Sequence, residues 1–193
     1  YDRKKWEYEW FLADEWLAAA DRELSQAAEI PGGGRWGLIY NQLLEKNQDR
    51  LTSVARSLKR AADKQGYDRY ELASLTLAFV QHIPYRIPSN DLGLMTPPTT
   101  LSKRWGDCDT KSLLYVLVMQ QLGFDVSLFV SGRYRHAMAG VNINAMGTSM
   151  GHRGRKYYFA ETTTPGHRIG QLSTGSTMWW SLIPLTNSAA DEV

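Results

Sequence analysis

Cysteine is nearly absent from this chain, with Cys108 the single residue among 193. One thiol excludes an intrachain disulfide framework and any zinc site built from several cysteines. Long apolar runs are missing, and none approaches the roughly 20 residues a membrane-spanning helix needs. An excess of charge is lacking too: 22 basic against 20 acidic residues leave +2, no reason to expect nucleic acid or acidic lipid as partner. Repeats and low-complexity tracts are absent. The chain opens "YDRKKWEYEW" without a methionine, so it reads as an excised part of a longer product.

What is present is ordinary globular composition, 43% hydrophobic and 22% charged, in a chain long enough to bury a proper core. Helical spacing of Trp6, Trp10, Leu17, Leu24 and Ala28 predicts an amphipathic helix over 4–29, which "IPGGGRWG" ends. A second helix is expected over 38–65, stopped by Gly66, and a third, nearly all apolar, over 69–82. Four prolines between Pro84 and Pro98 predict an extended, irregular segment that leads directly to Cys108. After a helix over 109–122 the period changes. Strands are expected at 125–132, 135–143 and 155–162, as antiparallel neighbours separated by turns and the Gly-rich loop "NAMGTSMGHRG". From Pro165 onward, "TMWWSLIPL" reads as an extra strand or arm. The expected fold class is α+β, with a helical extension over 1–66 and the domain bearing the site over 67–193.

The helix after Cys108 is apolar nearly all round, hence central, and its N-terminus presents free amides and a positive dipole end. A thiolate is favoured there, so the Cys108 pKa is expected to fall. Asp107 and Asp109 oppose that, although Asp109 can instead cap the helix and Asp107 turn the chain into it. The same amides, Asp109's among them, can receive an oxyanion, and Trp105 can wall the cleft. His136 opens one strand and Glu161 closes the next, so pairing of those strands places them on one sheet edge. Cys108, His136 and Glu161 thereby form a candidate nucleophile, base and orienting acid. Of the other histidines, His152 lies in the Gly-rich loop and His167 near the acid. Neither shows metal-ligand spacing with Asp91, Asp107 or Asp109, so no metal and no cofactor is expected.

"PPTTLSKRWGDCDTKSLLYVLVMQQLGFDVSLFV", then "HAMAGVNI" and "KYYFAETT", resembles the transglutaminase-like superfamily of papain-type fold over about residues 83–164. The resemblance implies Cys108 as nucleophile, His136 as base and then acid, and Glu161 as the residue orienting the imidazole. The family more often has Asp at the third position, and some related peptidases are calcium-dependent. By its likeness to bacterial members the chain is expected to be a cysteine peptidase or amidase of the cell envelope or periplasm, acting on a protein or peptide. A protein partner on the N-terminal helices is part of that expectation. The alternatives are a protein cross-linking transglutaminase and a papain-like binding module without activity.

Overall fold

The computed structural model describes residues 35–90 and 93–185, so the helix expected over 4–29 and Asp91 lie outside the described residues. The chain is α+β. Helix α1 spans Arg35–Asn47, α2 Thr52–Gln65, α3 Arg69–Gln81, α4 Pro97–Lys103 and α5 Cys108–Gln121. Strands β1 (Val126–Ser131), β2 (His136–Val141), β3 (Ser149–His152), β4 (Arg155–Ala160) and β5 (Ser181–Pro184) form one antiparallel sheet in the order β3-β4-β2-β1-β5. No helix among the described residues is long and apolar enough to cross a membrane.

Local chemistry sets the element ends. Gly66 closes α2 in the left-handed conformation, and Asp68 with Glu71 form a reciprocal capping box at the start of α3. The helix expected over 38–65 is broken by a 3₁₀ turn at Gln48–Leu51. There the buried Asn47 amide donates to the Leu43 carbonyl rather than letting the backbone run on. The irregular segment contains α4, which its prolines had hidden. Thr96 caps that helix, and Pro97 and Pro98 occupy the first turn, where no amide proton is needed. The Gly-rich loop likewise carries β3, joined to β4 by a two-residue turn with Arg153 and Gly154 both at positive φ.

Helix α5 is the axis of the core, with every side chain from Leu113 to Met119 fully buried. It lies on β1 and β2 on one side and meets α1 to α4 on the others. Leu43, Leu51 and Ala55 share its buried cluster, so the described helices before residue 67 belong to the same core. A second cluster (Phe129, Met138, Tyr157, Phe159 and Trp180) is separate from it. Burial of each such aromatic contributes about 1.5–3 kcal/mol. Gly140 admits no side chain: a Cβ there would lie 2.3 Å from Ser127 Oγ and 2.8 Å from the Phe129 ring. Gly140→Ala is therefore expected to lower stability by about 1–3 kcal/mol or more, read as a fall in the urea midpoint at unchanged slope.

Candidate active site

The helix that bears the thiol begins at Cys108, and its cap is Asp107. The Asp107 carboxylate accepts from the Thr110 amide at 3.0 Å and from the Thr110 hydroxyl. The capping role allowed for Asp109 is thus taken by its neighbour, because residue 107 has the extended backbone a cap requires. Asp109 does other work. Its Oδ1 accepts from the Tyr40 hydroxyl of α1 at 2.5 Å, and its Oδ2 accepts from the Cys108 thiol at 3.5 Å. The Lys111 amide donates to the Asp107 carbonyl. The amides of Cys108 and Asp109 are then those left at the helix mouth without an acceptor among the described residues.

Gly106 brings a second wall to the thiol. It forms a parallel bridge with Tyr85, donating to the Pro84 carbonyl at 3.1 Å and accepting from the Arg86 amide at 3.0 Å. A Cβ at Gly106 would press on the methyl groups of Thr110 and Thr100 at 3.1 and 3.2 Å, which accounts for glycine before Asp107. Burial and the nearby acids, Cys108 among them, push the Tyr85 phenol up. Trp105 is half-buried beneath the Arg86 guanidinium, 4.8 Å from its ring centroid.

The thiol's electrostatics run opposite to the sequence expectation. Burial pushes the Cys108 pKa up to about 12, aided by the charges of Asp109 and Asp107 and by the bond to Asp109, against the lowering effect of the Ala137 amide. Desolvation outweighs the helix dipole here because the thiol is only 6% exposed. Burial thus favours the neutral thiol over the thiolate.

His136 is the first residue of β2, and Glu161 follows β4 directly; the two strands pair with Ala139 opposite Ala160. His136 Nε2 and Glu161 Oε2 lie 2.7 Å apart. A carboxylate only accepts, so Nε2 carries the proton and Nδ1 is the imidazole's remaining nitrogen. The other Glu161 oxygen accepts from the Thr163 amide at 2.8 Å and hydroxyl at 2.5 Å. Burial alone would raise the Glu161 pKa, but His136 and Thr163 outweigh it and hold the carboxyl below its ordinary value. The Ala137 amide beside His136 reaches the Cys108 thiol, which sets the thiol against the end of the sheet that His136 opens.

Three supporting residues were not singled out from sequence. Trp180 sets its ring edge-on to His136, with centroids 6.0 Å apart. Gln81, at the end of α3, donates to the carbonyls of Glu161 at 2.8 Å and His167 at 2.9 Å. Lys111, fully buried one turn along from Cys108, donates to the Ile83 and Gln81 carbonyls at 2.7 and 3.2 Å. Burial lowers its pKa to about 8, while the charge of Glu161 opposes the fall. The only sequence signal for Lys111 was a charge on a helix otherwise read as apolar all round.

His152 and His167 make no bond to Cys108, His136 or Glu161 among the described residues; His167 faces Ser173 at 3.4 Å. Asp107, Cys108 and Asp109 offer ligand atoms within 4.8 Å of one another. Both carboxylates are already engaged, Asp107 by Thr110 and Asp109 by Tyr40 and Cys108. No protein-family model, curated protein or solved structure matches this chain.

Proposed function

We propose that the protein is a cysteine-dependent acyl-transfer enzyme of papain-like arrangement that hydrolyses a peptide or protein amide. The observation that carries this reading is the His136–Glu161 pair at the sheet end beside the mouth of α5. It leaves imidazole Nδ1 without a hydrogen-bond partner among the described residues, while the amide of the adjoining Ala137 reaches the one thiol of the chain. In the proposed step His136 takes the thiol proton as sulfur attacks the carbonyl carbon, and the amides of Cys108 and Asp109 receive the oxyanion. The imidazolium then gives that proton to the departing amine. Water, deprotonated by the same nitrogen, cleaves the thioester and restores the thiol. A thiol favoured in its neutral form suits this sequence, with proton transfer coupled to attack rather than completed beforehand.

The competing reading is a papain-like binding module, and the observation in its favour is the same buried thiol, pushed to about 12. A fluorogenic peptide pool separates the two. Product formation that stops in Cys108→Ala, with an acyl-enzyme of matching mass trapped on the wild type, supports the enzyme. A wild type that forms no product, and whose thiol alkylates only after denaturation, leaves the binding module.

A further inference from the structure

The exposed charge on the described residues of the half that carries the site has one sign. Among the described residues from 82 to 185, nine Lys and Arg are exposed, whereas the carboxylates number four: Asp107, Asp109, Asp125 and Glu161. Asp107 and Glu161 are buried. Asp109 is half-buried against Tyr40, and Asp125 is held by Asn142, Arg155 and Tyr157. Apart from Arg155, which pairs with Asp125, these cations have no exposed carboxylate to offset them among the described residues of this half. The +2 of the whole chain conceals that asymmetry.

Three cations over two indole rings border the reacting groups. Beside the thiol, Arg86 lies 4.8 Å and Lys103 5.9 Å from the Trp105 ring, and the Arg86 amide is tied to Gly106, two residues before Cys108. Beside the imidazole, Arg133 lies 5.0 Å from the ring of Trp179, the neighbour of the Trp180 that meets His136. Stacking fixes the plane of a guanidinium while leaving its N–H edge open, the edge that grips a carboxylate with two parallel bonds. It also covers indole rings on which a nucleobase would otherwise stack.

Resting on the acyl-transfer reading, we propose that the substrate is an acidic peptide, with carboxylate side chains on both sides of the scissile amide. One is received by Arg86 with Lys103 and the other by Arg133. The amide carbonyl then lies between thiol and imidazole, and each flanking chain meets the pair on its own side.

The test measures kcat/KM on quenched-fluorescence peptide pools with acidic, neutral or basic residues around the cleaved bond. The acidic pool is expected to be turned over best, with an advantage that shrinks as salt rises. Arg86→Gln and Arg133→Gln each lower the acidic-to-neutral ratio by about tenfold, in line with loss of a charge-assisted bond. Arg86→Glu moves the preference toward the basic pool. Arg153→Gln, on the distant β3–β4 turn, keeps the wild-type ratio. Equal turnover of all pools, or an acidic preference that these variants do not shift, overturns the substrate class and leaves the enzyme reading intact. So does a single-stranded oligonucleotide whose binding needs Arg86 and Arg133 while the pools are cleaved alike. If no pool is cleaved, both readings fall.

Discussion

On the proposed acyl-transfer reading, His136→Gln is expected to lower peptide turnover by about 10²- to 10⁴-fold, the range a positioned general acid–base group supplies. The glutamine amide keeps a donor facing Glu161, whose buried carboxylate would otherwise lose its partner at 2.7 Å. What it cannot do is carry a proton near neutral pH. The variant should therefore melt close to the wild type while turnover falls. An unchanged kcat would remove His136 from the chemistry.

The demand on His136 is large because burial favours the neutral thiol. Asp109 is the strongest charge acting on it, and it also accepts the thiol hydrogen. Asp109→Asn keeps an acceptor for Tyr40 and removes the charge. Iodoacetamide labelling of Cys108 at pH 7 is then expected to speed up by about tenfold, the effect of a one-unit fall in thiol pKa. The sign also fixes a stability trend. The folded-state thiol pKa lies above its ordinary value of 9.0, so the unfolded chain releases that proton first and stability declines as pH rises past 9.

These electrostatics explain where sequence reading stops. The strand-opening His136 and strand-closing Glu161 were legible because period-two patterning locates strand ends, and antiparallel pairing brings such ends together. The central helix was legible from its uninterrupted apolar run. The thiol's surroundings were not. Tyr40 lies 69 residues from the Asp109 it contacts, and no local pattern encodes that meeting. Burial of Cys108 under Tyr85 and Asp109 reversed an argument built on the helix dipole alone. Helix α4 stayed hidden because prolines usually break helices, and only Thr96 in the cap position signals that these begin one. Lys111 was opaque for a related reason. Its two carbonyl acceptors are those of Gln81, the last residue of α3, and Ile83 just beyond it, and only the packed fold turns them toward α5.

Glu161→Gln should separate orientation from packing more sharply than any other change. The carboxylate now accepts at both oxygens, from His136 on one side and Thr163 on the other. Glutamine can still accept from Thr163 through its carbonyl, so the fold keeps that anchor. Its amide, however, donates, and a donor facing Nε2 forces the imidazole proton onto Nδ1. That nitrogen can then no longer take the thiol proton. Turnover is expected to fall by about 10³- to 10⁴-fold, as when a triad acid becomes an amide and the wrong tautomer results. The stability loss at pH 7 should be only about 1–3 kcal/mol, the worth of a hydrogen bond to a charged group. That loss has its own pH signature. The folded Glu161 pKa lies below its ordinary value of 4.5, so the carboxylate's contribution is complete above that pH and disappears as pH falls through the folded value. Denaturation midpoints of wild type and variant should thus converge in acid and stay apart at neutrality. Convergence with unchanged turnover would make Glu161 a structural residue, whereas lost turnover with parallel midpoints would place its whole effect on the imidazole.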